Sequence, residues 1–297
     1  MEDTVFQAKT YYTCPPGHAE EQMSPGWRAS RRLLGKQMTA REALEAFLTP
    51  PKFPELSRET ELRANSISTR IRLRDAGFAR GGGEEIEVYS WGEGRPVLLV
   101  HGWGGRATNF AAFIGPMTAA GLNVVAFDAP AHGQSSGTLS SGPAFASAIE
   151  TVESQKGPFH AIVAHSLGAL ASTCAQGNGV RVEKVVYLGA CCWVEPLLTD
   201  FIAPFHLADE VRQELFRFSA GQFGSEEISA DAVAPRLDGT AAILMHDPSD
   251  AEMPYDHSVA IATAWPDAVL IPTPGVGHRR ILRSRDIITR TLEHIAG

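Results

Sequence analysis

The segment Ala161-Ile162-Val163-Ala164-His165-Ser166-Leu167-Gly168-Ala169-Leu170-Ala171-Ser172 passes from an apolar run straight into a helix-forming one. Four apolar residues without alternation predict a strand buried on both faces, as in a parallel sheet covered by helices. Ser166 stands at the junction. The residues two before and two after it, Ala164 and Gly168, are small, as a tight strand-to-helix turn requires. Such a turn lifts a serine hydroxyl above the sheet, beside a helix N-terminus whose amides stabilise an oxyanion. A serine at a helix start also serves as a simple cap, so the segment alone leaves both roles open.

Five more apolar runs of the same kind lie on either side: Val97-Leu98-Leu99-Val100, Val124-Val125-Ala126-Phe127, Val185-Val186-Tyr187-Leu188, Ala242-Ile243-Leu244-Met245 and Ala268-Val269-Leu270-Ile271. Helical patterns fall between them, such as Phe110, Phe113, Ile114 and Met117, or Ile287, Ile288 and Leu292. Strand–helix alternation predicts a doubly wound, mostly parallel α/β sheet with right-handed crossovers. Upstream the period is two. Ile67, Thr69, Ile71 and Leu73 alternate with Ser68, Arg70 and Arg72, and Ile86 and Val88 with Glu85, Glu87 and Tyr89. These predict an antiparallel hairpin turning at Gly81-Gly82-Gly83.

Between residues 193 and 239 a long gap holds Phe201, Phe205, Phe216, Phe218 and Phe223, which predicts a small helical cap over the carboxyl edge of the sheet. Residues 1–25, with Pro15, Pro16, Gly17 and Pro25, read as a poorly ordered arm. A helix, or two short ones, is expected over 27–48. Thr39 and Glu42 form a capping box there, and Pro50-Pro51 ends it. The domain division is thus an arm and helical extension over 1–60 and a sheet domain over 61–297.

The 297 residues are 44% hydrophobic and 20% charged, which excludes a disordered or collagen-like chain. A net charge of −8 and the lack of a basic stripe argue against a nucleic-acid partner. No apolar run approaches the roughly 20 residues of a membrane span. Met1-Glu2-Asp3-Thr4 is unlike a secretory signal. Cys14, Cys174, Cys191 and Cys192 are too few and too irregular for a disulfide framework or a zinc site. Cys191-Cys192 reads as buried small residues rather than a redox pair. The expected setting is the cytoplasm, with no cofactor and no metal.

In open α/β sheets ligands sit outside the carboxyl ends of the strands, so the residues just after each apolar run matter most. They are Ser166; His101-Gly102-Trp103-Gly104-Gly105; Asp128 through Ser135, including His132; His246, Asp247 and Asp250; and Gly277-His278. Asp128 reads as structural, bonding turn amides, and His132 as a turn residue. The chain order Ser166, Asp250, His278 is one known order of a serine–acid–histidine triad. A cation site at His246, Asp247 and Asp250 lacks the paired-histidine spacing of strong zinc motifs.

On these motifs the chain from Glu85 to Gly297 resembles the α/β-hydrolase family. The resemblance implies Ser166 as nucleophile, His278 as base and Asp250 as acid, with Asp247 as the alternative acid. It also implies oxyanion amides on Trp103 and Leu167. The chain departs from the family pattern at Ala164 and Ala131, where glycine is usual, and at Asp247, where His-Gly is usual. Serine at 166 argues against branches with a carboxylate nucleophile. The implied activity is hydrolysis of a carboxylic ester of a small molecule, with the phenylalanines of the cap favouring a short or medium acyl or an aryl group. Thioester, lactone, amide or carbon–carbon hydrolysis, and a non-catalytic binding protein on the same fold, are the alternatives.

Overall fold

The computed structural model describes residues 38–73, 85–223, 229–237 and 239–296. The expected arm, the first part of the 27–48 helix and the Gly81-Gly82-Gly83 turn lie outside them. The described chain opens with α1 (Ala40–Leu48), capped by Thr39 and Glu42 as expected. The Glu42 amide donates to Thr39 Oγ1 at 3.3 Å, and the Thr39 amide to Glu42 Oε2 at 2.9 Å. Helix α2 (Ser57–Ala64) runs through position 60, the expected domain boundary.

Eight strands then form one sheet: β1 (Ile67–Arg72), β2 (Glu85–Trp91), β3 (Arg95–Val100), β4 (Leu122–Phe127), β5 (Ala161–His165), β6 (Lys184–Leu188), β7 (Ala241–His246) and β8 (Ala268–Pro272). Their order is β1-β2-β4-β3-β5-β6-β7-β8. The β1–β2 and β2–β4 pairs are antiparallel and the rest parallel. All six apolar runs are strands. They carry no alternation because both faces of the sheet are covered. Leu98, Val100, Ile162, Ala164, Val185 and Tyr187 enter one core, beside α4 (Gly142–Lys156) and α5 (Leu167–Gly177). Val97, Leu99, Ala161, Val163, Val186 and Leu188 enter the other, with Phe113 and Ile114 of α3 (Ala111–Ala119) and with Ile287 and Ile288 near the C-terminus. The sheet edges depart from this pattern. Ile67 in β1 is 74% exposed and Val269 in β8 is 56% exposed, because an edge strand has no neighbour to shield its outer side.

The segment after β6 is helical as expected, with α6 (Glu195–Ile202), α7 (Asp209–Phe223) and the short α8 (Ala230–Val233). Its main apolar partner is α1: Ala40, Ala43, Leu44 and Leu48 share a buried cluster with Leu198, Phe201, Ile202 and Leu215. Phe201 lies 5.4 Å from both Phe47 and Phe205, ring centre to ring centre. Phe201 and Phe205 are thus engaged in packing within this cluster. Among the described residues no helix is long and apolar enough to cross a membrane.

Candidate active site

The loops after β3 through β8 converge at one edge of the sheet. Ser166, between β5 and α5, has φ 54° and ψ −123°, a left-handed conformation that costs an L-residue on the order of 1–3 kcal/mol. Three backbone bonds hold it there. The Ser166 amide donates to Leu188 O at 3.0 Å, and Ser166 O accepts from Ala169 at 3.0 Å and from Cys191 at 3.1 Å. The requirement for small neighbours is explicit at Gly168, where a Cβ would stand 2.6 Å from His101 O. A Cβ on Gly102 would stand 2.9 Å from Ser166 Cβ. Ala164 is wholly buried in β5, which accommodates its methyl. The turn residue Ala131 adopts φ 65° where glycine would be unstrained.

His278 Nδ1 donates to Asp250 Oδ2 at 2.8 Å, which leaves Nε2 free to act as a base. Asp250 is almost fully shielded and accepts through Oδ1 from the amides of Glu252 at 2.8 Å and Met253 at 3.0 Å. Burial pushes its pKa up. The hydrogen bonds from His246 and His278 outweigh that and hold the carboxylate well below the usual range. Asp247 has a different task. Its Oδ2 accepts from the Gly277 amide at 2.6 Å and its Oδ1 from Ser249 at 2.9 Å, so it ties the acid loop to the histidine loop. The acid bonded to His278 is therefore Asp250. His246 Nε2 lies 3.3 Å from Asp250 Oδ2 and donates to Met253 O at 3.0 Å, while Nδ1 accepts from Ser258 at 2.7 Å. Its nitrogens are thus both engaged. Among the described residues no cluster of three or more His, Cys, Asp or Glu is arranged to hold a metal ion.

Ser166 and His278 share neighbours, although no hydrogen bond joins them among the described residues. His165 Nε2 donates to His278 O at 2.9 Å, and the two imidazoles lie 4.6 Å apart. Gly189 follows Leu188, the acceptor of the Ser166 amide. A Cβ on Gly189 would stand 3.1 Å from His278 Nδ1. Among the described residues neither the Trp103 nor the Leu167 amide is engaged in a hydrogen bond.

Sequence reading missed Gly189 and His165, and gave His132 no role beyond its turn. The turn residue His132 is buried, donates through Nδ1 to Pro130 O at 2.8 Å and accepts the Gly104 amide on Nε2 at 3.0 Å. It therefore anchors the loop that carries Trp103. Its position after β4 was the available signal. Asp128 is structural as expected, accepting from the amides of Ala107 and Gln134, each at 2.8 Å. Cys191 and Cys192 are buried, and burial pushes the Cys191 thiol up to about 12.

A central parallel strand ending in a left-handed serine, in an eight-stranded sheet of this order with one antiparallel strand inside it, defines the α/β-hydrolase fold. A model of the alpha/beta hydrolase family matches residues 97–289, and the chain belongs to that family. No curated protein matches the sequence. Among solved structures, the esterase EaEST from Exiguobacterium antarcticum is 19% identical with a TM-score of 0.58, covering 78% of this chain and 100% of that one. The Pyrococcus furiosus esterase Pf2001 is 16% identical with a TM-score of 0.61, covering 84% and 98%. A bromoperoxidase from Bacillus anthracis is 17% identical with a TM-score of 0.55, covering 78% and 100%. Likeness at these identities is a likeness of fold.

Proposed function

We propose that this chain is a serine hydrolase that cleaves carboxylic esters of short to medium acyl or aryl groups through an acyl-enzyme. The observation that carries the proposal is the shielded His278–Asp250 pair at 2.8 Å beside the strained Ser166. A serine hydroxyl needs an adjacent base to act as a nucleophile near neutral pH. His278 Nε2 takes the Ser166 proton as Oγ attacks the ester carbonyl. Asp250 holds the Nδ1–H tautomer and stabilises the imidazolium. The amides of Trp103 and Leu167 receive the oxyanion, Leu167 being the first residue of α5. The imidazolium then protonates the departing alkoxide, and water, activated by the same histidine, cleaves the acyl-enzyme.

The test is hydrolysis of p-nitrophenyl esters from acetate to palmitate by the wild type and by Ser166→Ala. The wild type should turn over the shorter esters best, and the variant should lose on the order of 10⁶-fold in kcat, as removal of a triad serine does. A variant as active as the wild type overturns the mechanism. A wild type that neither cleaves any ester nor takes a fluorophosphonate on Ser166 favours a binding protein instead.

A further inference from the structure

The segment between α1 and α2 lies outside the residues that match the family, yet it rests on the loop that carries Trp103. A Cβ on Gly104 would stand 2.8 Å from Pro51 Cγ and 3.4 Å from Phe53 Cε2, so the proline and phenylalanine rings lie directly on that glycine. The guanidinium of Arg106, at the far end of the loop, donates to Phe53 O. The helices on both sides of the segment are fixed. Leu48 O accepts from the Ser140 amide at 2.8 Å, and Leu62 O accepts from Trp91 Nε1 at 3.0 Å. Arg63 of α2 binds Glu55 of the segment through two hydrogen bonds of 3.0 and 3.1 Å. The loop 102–106 is thus held by His132 through the Gly104 amide and by Pro51, Phe53 and the Arg106 contact. Trp103 lies next to the glycine held in this way.

We propose that residues 50–53 are a positioning strap for the oxyanion loop, so that the extension before the family domain sets the aim of the Trp103 amide. The proposal rests on the serine hydrolase reading given above. An oxyanion donor acts only if it points where charge develops in the transition state, and small misplacements there are costly. Gly104 has φ 68° and no side chain of its own to fix it. Its neighbours therefore carry the constraint. Because α1 packs on the Leu198–Phe201–Ile202 cluster of the insertion, the strap also joins the cap to the oxyanion loop.

A Pro51→Ala/Phe53→Ala variant separates aim from binding. With p-nitrophenyl acetate, kcat should fall about tenfold while KM stays within about twofold. The affinity of a trifluoromethyl ketone, which forms a tetrahedral adduct at the serine, should fall by the same factor as kcat. If this variant does not fold, Arg106→Met, which keeps the alkyl stem and removes the donor to Phe53 O, should show the same split at about three- to fivefold. Unchanged kcat in a folded variant overturns the strap, as does a rise in KM alone or a loss of kcat without a matching loss of ketone affinity. Fluorophosphonate labelling tells the two proposals apart. A wild type that labels at Ser166 while the variants label equally fast refutes the strap alone. A wild type that neither labels nor cleaves esters refutes both.

Discussion

Two aspartates three positions apart illustrate how much one side chain's partners matter. Asp247 and Asp250 follow the same strand and both are shielded, but Asp250 meets an imidazole nitrogen and Asp247 a backbone amide. Asn in place of Asp250 presents either an amide N–H or a neutral oxygen to His278 and loses control of the tautomer. Asp250→Asn should therefore lower kcat by roughly 10⁴-fold, the scale seen when a triad acid is neutralised. Asp247→Asn keeps an oxygen for the Gly277 amide and should cost no more than about tenfold, since only a neutral acceptor is needed there. Steady-state kinetics on one p-nitrophenyl ester measures both. A larger loss at Asp247 would reverse the assignment. The same comparison explains Ser166: strain is tolerated where several bonds hold the backbone, and here three do.

Among the elements, α1 is the one whose role depends on a distant part of the chain. Its nine residues are too few to be stable alone in water. It persists because Ala40, Ala43, Leu44 and Leu48 are buried against α6 and α7. The dependence is mutual, since the cap helices use the same cluster. Truncating a buried phenylalanine costs about 3–5 kcal/mol. Phe201→Ala should therefore loosen α1 and residues 195–223 together and leave the sheet intact. Hydrogen exchange followed by mass spectrometry should show protection lost in both segments but retained in β3, β5 and β6. Loss confined to residues 195–223 would mean that α1 is held by other contacts.

For the whole molecule, the buried histidines make stability depend on pH. Burial pushes His101 down to about 4, His257 to about 4 and His165 to about 3, and holds His132 well below its ordinary value. Each folded-state pKa lies below the unfolded value of about 6.5, so the unfolded chain binds protons that the folded chain refuses. Stability is then full above about pH 6.5 and falls as the pH drops toward 4, by about 1.4 kcal/mol per pH unit for each such histidine. Asp250, whose pKa is depressed, adds to the loss at still lower pH. Urea unfolding at pH 7.5, 6 and 5 should show a steady fall in midpoint. A flat profile would mean that these histidines accept protons without unfolding the protein.

The sequence by itself determined the six strands β3 to β8, the capping box at Thr39 and Glu42, and the small residues around Ser166. Local chemistry settles such features: apolar runs must be buried, helix amides need acceptors, and a tight turn excludes side chains. It also supplied the candidates Ser166, Asp250 and His278, because their positions at strand ends follow from the strand pattern. Only the tertiary structure set Asp250 against His278 and Asp247 against the Gly277 amide. Only the structure brought Gly189 and His165 against His278, turned the phenylalanines at 201 and 205 toward packing, and laid Pro51 and Phe53 on Gly104. Those contacts join residues far apart in sequence, from 51 positions for Phe53 and Gly104 to 154 for Phe47 and Phe201. Their pairing is fixed by how the covered sheet gathers its loops at one edge, which no local pattern of residues encodes.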